Sequence, residues 1–200
     1  MTIIINKLNV SFDGKQVLND FSLTLPDKGI VCIFGPSGCG KTVLFKCLSG
    51  LIKPDSGEIS GLENKRLSMV FQENRLLPWF DAAENVAFVV NENRELALAA
   101  LAKMELTTEA GKIPAELSGG MQRRVAIARA LAYDGDMLLL DEPTTGLDAE
   151  LAARVMAGLI NLWQGKLILL ITHELSLAKQ FADIIYTVSG PPLQIKKKSE

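Results

Sequence analysis

Apolar and polar positions along the chain follow two patterns, and each pattern predicts a different kind of element. Short apolar runs bounded by turn residues are typical of buried strands, whereas apolar residues at helical spacing predict helices. Strands are predicted at 3–5, 8–12, 17–25, 30–34 and 67–71, with a hairpin turn at Asp13-Gly14. The C-terminal half predicts strands at 137–140, 167–171 and 184–188, separated by helices at 149–162 and 175–181.

Three more segments, at 42–48, 81–103 and 118–132, have helical patterns, and the Pro-Asp-Ser-Gly sequence at 54–57 predicts a turn. Apolar strands separated by helices of this length form mostly parallel sheets, so the predicted fold class is α/β with an N-terminal antiparallel β subdomain. The all-helical stretch at about 81–118 does not fit the alternation and predicts a small inserted lobe. The expected organisation is one domain at 1–200, with its core at 1–80 and 119–200.

Length and composition narrow the functional classes. The chain has 200 residues and a net charge of -2, so no basic stripe predicts nucleic-acid binding, and the lysines at 196–198 are expected to form a solvated tail. Cys32, Cys39 and Cys47 contain no C-x-x-C pair, which argues against a zinc site and fits a reducing cytosol. No apolar run approaches the roughly 20 residues that span a bilayer, so any transport pathway is expected to lie in another protein.

A phosphate-binding turn is predicted between the strand at 30–34 and the helix at 42–48. The sequence matches G-x-x-x-x-G-K-[ST], and its members are Gly35, Pro36, Ser37, Gly38, Cys39, Gly40, Lys41 and Thr42. Backbone N–H groups in such a turn surround phosphate oxygens, Lys41 reaches the β- and γ-phosphates, and the Thr42 hydroxyl binds Mg²⁺. The strand–turn–helix context argues against a purely structural glycine-rich turn. The turn alone does not separate kinases, GTPases and ATP-driven motors.

Two carboxylates and the single histidine follow buried strands. Asp141 follows the strand at 137–140 and is a predicted Mg²⁺ ligand. Strand alternation directs Glu142 away from Asp141, so Glu142 is predicted to polarise an attacking water. A pair of solvated acids is the alternative. His173 follows the strand at 167–171 and is expected at the same sheet edge, near the γ-phosphate, although it could simply cap the next helix.

The segment Leu-Ser-Gly-Gly-Met-Gln at 117–122 lies about twenty residues before Asp141. Together with the phosphate turn, Gln72, the Leu-Leu-Leu-Asp-Glu-Pro segment at 138–143 and His173, it resembles the nucleotide-binding subunit of ABC transporters over essentially the whole chain. The resemblance implies a P-loop NTPase fold and ATP hydrolysis with Mg²⁺.

The resemblance also implies a head-to-tail homodimer with two ATP molecules between the subunits. In this arrangement Ser118, Gly119 and Gly120 of one subunit would contact the γ-phosphate held by Lys41 of the other. Met121 and Gln122, in the same signature turn at 118–122, are further expected nucleotide-binding residues. Asp148 resembles a residue that couples the two sites, and Gln72 resembles a catalytic glutamine that also contacts Mg²⁺. Phe12 lies where the family places an aromatic ring against adenine, unless it belongs to the core. An ordinary helix cap is the alternative for Ser118.

The segment at 71–79, Phe-Gln-Glu-Asn-Arg-Leu-Leu-Pro-Trp, resembles the corresponding loop of importers for nitrate, taurine, alkanesulfonates and thiamine precursors. Leu76, Leu77 and Trp79 are predicted to be exposed in a groove for a permease helix, with local core packing as the alternative. The expected partners are transmembrane permease subunits and, indirectly, a solute-binding protein, with the chain cytoplasmic and peripheral on the inner face of the membrane. A soluble ABC ATPase of translation or repair, a phosphotransferase and a non-hydrolysing regulatory module are the rivals.

Overall fold

The computed structural model describes residues 2–199, so Met1 and Glu200, the ends of the predicted domain, lie outside the described residues. The strands are β1 Ile3–Phe12, β2 Lys15–Leu25, β3 Gly29–Phe34, β4 Ser56–Ser60, β5 Leu67–Val70, β6 Met137–Asp141, β7 Leu167–Thr172, β8 Ile184–Ser189 and β9 Gln194–Ser199. The α-helices are α1 Lys41–Leu48, α2 Ala82–Ala87, α3 Arg94–Lys103, α4 Gly119–Tyr133, α5 Ala149–Leu162 and α6 Leu175–Phe181. Short 3₁₀ turns lie at Thr107–Glu109 and Pro114–Glu116.

Two sheets form the framework. The larger has the order β5-β6-β7-β3-β8-β9 and is parallel except for its β8–β9 pair. The smaller is antiparallel, with the order β2-β1-β4. The predicted α/β class, the mostly parallel sheet and the antiparallel N-terminal subdomain are confirmed. The division into a core and an inserted lobe stays a prediction.

The central strands β3, β6 and β7 are almost entirely apolar because helices and the small sheet cover both of their faces. Alternate residues of β6 show this. Leu138 and Leu140 join an apolar cluster with the helices α2 to α5, whereas Met137 and Leu139 join a second cluster with α1 and the antiparallel sheet. No helix within residues 2–199 has the length and hydropathy needed to cross a bilayer.

The hairpin prediction is confirmed, because Asp13 and Gly14 connect β1 to β2 with φ values of 48° and 74°. The two strands predicted at 3–5 and 8–12 are instead one bulged strand, β1. The helix predicted at 81–103 is also wrong as a single unit. It breaks after α2 because Asn91 and Glu92 adopt left-handed conformations and the Asn93 side chain caps α3.

Two strands, β4 and β9, were not predicted. The segment predicted as a turn at 54–57 already enters β4 at Ser56, and Gly57 is required there because a Cβ atom would lie 2.2 Å from the Lys7 carbonyl oxygen of β1. The lysines at 196–198 are exposed, as expected of a tail, but they belong to the edge strand β9.

Candidate nucleotide site

The residues predicted to carry chemistry meet at one edge of the large sheet, because parallel strands end on the same side. In the strand register Phe34 lies opposite Thr172, and Asp141 lies opposite Ile171. The turn after β3, the acids that end β6 and the histidine after β7 therefore emerge side by side.

In the turn from 35 to 42, glycines allow the backbone to lie close to neighbouring segments. A Cβ atom on Gly35 would lie 2.6 Å from the Val188 carbonyl oxygen, and Gly40 precedes α1 with φ of 112°. Lys41 is buried, and its ammonium group donates to the carbonyl oxygens of Gly35 at 2.7 Å and Pro36 at 2.8 Å. The Cys39 side chain packs in the apolar cluster beneath the turn, so this residue offers only its backbone to a ligand.

A cavity of about 470 Å³ opens above this turn. Its lining includes eight of the residues predicted to bind or hydrolyse nucleotide: Ser37, Gly38, Gly40, Lys41, Thr42, Gln72, Glu142 and His173. Thr42 and Gln72 also line an adjoining cavity of about 390 Å³, which contains Asp141. The predicted phosphate, metal and catalytic residues thus occupy one continuous region.

Glu142 is buried, and its carboxylate is held from two sides. Its Oε1 lies 2.8 Å from Nδ1 of His173, and its Oε2 accepts a hydrogen bond of 3.2 Å from the Thr172 hydroxyl. The prediction that strand alternation directs this side chain is wrong, because β6 ends at Asp141 and Glu142 has φ of 49°. A left-handed turn rather than the pleat therefore orients the carboxylate.

Asp141 has the features of a ligand for a hard cation. It is buried, and its Oδ1 has no hydrogen-bond partner. Burial, with a smaller effect of the neighbouring Glu142, raises the pKa of this carboxyl group. The Thr42 hydroxyl, Lys41 and Arg123 offset the increase only in part. A divalent cation would satisfy the unpaired oxygen, so Asp141 and Thr42 fit Mg²⁺. Within residues 2–199 no group of three His, Cys, Asp or Glu side chains is placed to hold a metal ion.

The signature turn lies outside both cavities. Ser118 caps α4 by accepting a 3.2 Å hydrogen bond from the Met121 N–H, while Met121 packs on the apolar cluster. Gln122 donates to the carbonyl oxygens of Pro114 and Leu117. Gly119 is exposed, and Gly120 lies against the Leu147 segment. One chain therefore does not bring these five predicted ligands to Lys41.

Asp148 and Phe12 are also outside the lining of the cavities. Asp148 is exposed and caps α5 by accepting from the Leu151 N–H at 2.9 Å. Phe12 is 45% exposed, so it does not belong to the core, and its contact with adenine stays a prediction.

A separate groove of about 330 Å³ lies between β5, α2 and α4. Its lining includes Phe71, Leu77, Phe88, Arg129 and Tyr133. Phe88 is 63% exposed, and Trp79, which lies outside the lining, is 70% exposed. Both rings contact the Phe80 ring at an angle, with centroid distances of 6.3 and 6.4 Å. Of the three residues predicted to be exposed here, only Trp79 is. Leu76 and Leu77 are half-buried because Leu76 packs on the helical cluster and Leu77 lines the groove.

The loop between β5 and α2 is anchored at two places. Arg129 of α4 donates to the carbonyl oxygens of Asn74 at 3.0 Å and Arg75 at 2.8 Å. Asn85 of α2, which is buried, accepts from the Leu77 N–H at 2.7 Å. Its amide group also donates to three carbonyl oxygens, those of Leu77, Phe80 and Asp81.

Some residues at the site were not predicted, among them Val17, Thr145 and Arg123. Val17 and Thr145 line the main cavity, and Arg123 of α4 lies behind it with 1% exposure. Burial lowers the pKa of Arg123 to about 10, against the raising effect of Asp141 and Glu142, so its guanidinium stays charged at neutral pH. No local signal marks Arg123, because arginines on helices are ordinarily exposed.

Comparison with known proteins gives a family match, similar relatives and a similar solved structure. A family model described as ABC transporter matches residues 18–145. The chain is 39% identical over 197 residues to an aliphatic sulfonates import ATP-binding protein of Pseudomonas fluorescens, covering 93% of this chain and 73% of the relative. It is 38% identical over 212 residues to a taurine import ATP-binding protein of Yersinia pestis, covering 96% and 83%.

Among solved structures, the chain resembles a dimeric ATP-binding cassette in a post-hydrolysis state bound to ADP and Pi. The TM-score is 0.88 at 27% identity, over 99% of this chain and 98% of that chain. The segment matched by the family model contains the phosphate turn, the signature turn and both acids.

Proposed function

The chain belongs to the ABC transporter family, and from that premise we propose that it powers the import of a small solute, with a sulfonate such as taurine as the first candidate. It is an ATP-binding subunit and an ATPase. The observation that carries the proposal is the meeting of Lys41, Glu142 and His173 in one cavity above a phosphate-binding turn. The names of the relatives support the solute class, since one names the import of aliphatic sulfonates and the other the import of taurine, which is itself a sulfonate. They give no support to a soluble ABC ATPase outside transport.

The proposed mechanism assigns each group one task. The backbone N–H groups of the turn and the Lys41 ammonium bind the β- and γ-phosphates. The Glu142 carboxylate accepts a proton from the attacking water, which lies in line with the γ-phosphate. His173, in contact with Oε1 of Glu142, holds that carboxylate in position, and it lines the cavity that would receive the γ-phosphate.

Thr42, Asp141 and Gln72 are the proposed Mg²⁺ ligands. When bound, Mg²⁺ neutralises charge on the phosphate oxygens. The unpaired buried Oδ1 of Asp141 supports this assignment.

We further propose that two copies pair head to tail, as the dimeric form of the related cassette suggests. Ser118, Gly119 and Gly120 of one copy would then face the nucleotide of the other, with Met121, Gln122 and Asp148 nearby. The exposed Ser118 at the N-terminus of α4 suits an anion there. Loss of the γ-phosphate removes this bridge, so hydrolysis reopens the pair.

ATP turnover with and without metal tests the assignment of the site. We expect hydrolysis by the purified chain to fall to background in EDTA and to return on addition of Mg²⁺. Asp141→Asn should raise the Mg²⁺ concentration for half-maximal rate at least about tenfold, because a ligand is lost. The matched control is Glu150→Gln, an exposed acid on α5. Turnover that is indifferent to EDTA would remove Mg²⁺ from the mechanism.

The groove between β5, α2 and α4 is the proposed docking surface for the permease, which would place the chain at the cytoplasmic face of the membrane. Large exposed aromatic side chains around a groove are typical of sites that receive a partner helix. A solute-binding protein would act through the permease and would not touch this chain.

Removing the aromatic anchors should release the permease. Phe88→Ser and Trp79→Ser are each expected to weaken docking by about 2 kcal/mol, or roughly thirtyfold in Kd. The measurement is retention of the permease that co-purifies with the tagged wild-type chain from detergent-solubilised membranes. Leu96→Ser, at an exposed leucine of α3 outside the groove, is the control and should retain it. Equal retention by all three variants would place docking elsewhere.

A further inference from the structure

Arg123 is a buried arginine in the second turn of the helix that begins after Ser118. A buried guanidinium is stable only when its N–H groups have hydrogen-bond acceptors. The acceptors therefore identify the segments of the chain that Arg123 fixes in place. Apart from a 3.4 Å contact with Oδ1 of Asn74, those acceptors are backbone carbonyl oxygens. They come from two separate segments: Asp141, Glu142 and Pro143 at the end of β6, and Phe71 and Gln72 after β5.

The contacts at the end of β6 fix the backbone of the proposed general base. Nη2 of Arg123 donates to the Glu142 carbonyl oxygen at 2.6 Å and to that of Asp141 at 2.9 Å, while Nε donates to Pro143 at 2.8 Å. On the other side, the Glu142 N–H donates to Ile171 at 2.9 Å. A non-glycine residue keeps a left-handed conformation only where its surroundings enforce it. Arg123 is part of that enforcement.

The contacts after β5 fix Gln72. Nη1 of Arg123 donates to the Phe71 carbonyl oxygen and, at 3.3 Å, to that of Gln72. The Gln72 side chain lines both cavities of the nucleotide site. One planar guanidinium therefore joins the backbone beneath Gln72 to the backbone beneath Glu142.

We propose that Arg123 is a positioning residue for hydrolysis, which sets Glu142 and Gln72 at a fixed separation and ties both to the signature helix α4. The inference rests on the proposed role of Glu142 as general base. Because α4 begins at the signature turn, a shift of this helix would move Arg123. Arg123 would in turn move Glu142, which orients the attacking water. Lysine has a single ammonium group in place of the planar fork, so it cannot serve both segments equally well.

Arg123→Met and Arg123→Lys test this role against a structural one. We expect Arg123→Met to lower kcat about 10- to 100-fold, with KM for ATP within about threefold, because misplaced catalytic groups slow the reaction more than they weaken binding. Arg123→Lys should recover part of the lost kcat. The matched control is Arg124→Met on the same helix, because Arg124 donates instead to Met104 and Glu105 in the helical segment. Its kcat should stay within about twofold of wild type.

A double-mutant cycle separates action through Glu142 from a general loss of order. In the Glu142→Gln background, Arg123→Met should lower the residual rate much less than it lowers the wild-type rate, because the general base is gone and only the effect of Arg123 on Gln72 remains. A full, additive loss in that background would overturn the proposal. So would kcat values for Arg123 variants that match Arg124→Met, or failure of both Arg123→Met and Arg123→Lys to fold.

The same experiments distinguish failure of the inference from failure of the proposed function. If the wild-type chain turns over ATP and Glu142→Gln abolishes it, but the Arg123 variants behave like the control, only the role of Arg123 is lost. If Glu142→Gln leaves kcat unchanged, the assignment of the general base fails first.

Discussion

Glu142→Gln is expected to bind ATP normally and to lower kcat by about 10²- to 10⁴-fold, because an amide cannot accept the proton of the attacking water. The substitution preserves the shape of a side chain that contacts His173 and Thr172, so the fold and the nucleotide cavity should persist. Because the γ-phosphate then stays in place, the variant should accumulate as an ATP-bound dimer. Steady-state turnover, nucleotide binding and sedimentation in Mg-ATP measure the three effects.

The control for this variant is Glu150→Gln, which also replaces a glutamate by glutamine but at an exposed position paired with Arg154. Its turnover should match wild type. Sedimentation of Glu142→Gln only as a monomer in saturating Mg-ATP would count against the paired arrangement, and unchanged kcat would count against Glu142 as the base.

Mixing two inactive variants should restore turnover if the nucleotide site is shared between copies. Lys41→Ala and Ser118→Arg are each expected to lose about 10²-fold or more in rate, because each removes or blocks a group that binds phosphate. In a head-to-tail pair of one Lys41→Ala and one Ser118→Arg subunit, one site keeps both native residues. At random pairing about one quarter of all sites would be intact. The measurement is turnover of the equimolar mixture.

The matched control is a mixture of Lys41→Ala with Glu142→Gln. Lys41 and Glu142 line the same cavity of one chain, so every site in that mixture carries one defect. It should stay inactive. Absence of recovery in the first mixture, with mixed pairs present, would mean that Ser118 does not complete the site of a partner.

The parts of the site that the sequence predicts best are those encoded by neighbouring residues. The phosphate turn is one continuous segment, so its glycines and Lys41 are recognisable by spacing, and the buried strands before Asp141 and His173 predict a common edge. The cavity lined by Lys41, Glu142 and His173 agrees with that expectation. The signature turn is equally recognisable, but its relation to Lys41 involves a second copy, which no local pattern can position.

What the sequence does not predict depends on distant contacts. Arg123 donates to carbonyl groups that lie 20 and 52 positions away along the chain, so the sequence of its own helix does not predict its role. Gly57 belongs to a strand because β1 passes close to it, although its neighbours are typical of a turn. The helix predicted at 81–103 fails for a more local reason, since Asn91 and Asn93 interrupt a composition that otherwise favours a helix.

The two anchors of the loop between β5 and α2 have a mechanical consequence. Arg129 fixes the backbone at 74 and 75 to α4, and Asn85 fixes the segment from 77 to 81 to α2. Leu76 is the residue between them. We therefore expect a tilt of α2 against α4 to be taken up mainly by the backbone torsions of Leu76. Because Leu77 and Arg129 both line the groove, such a tilt would change the width of the groove.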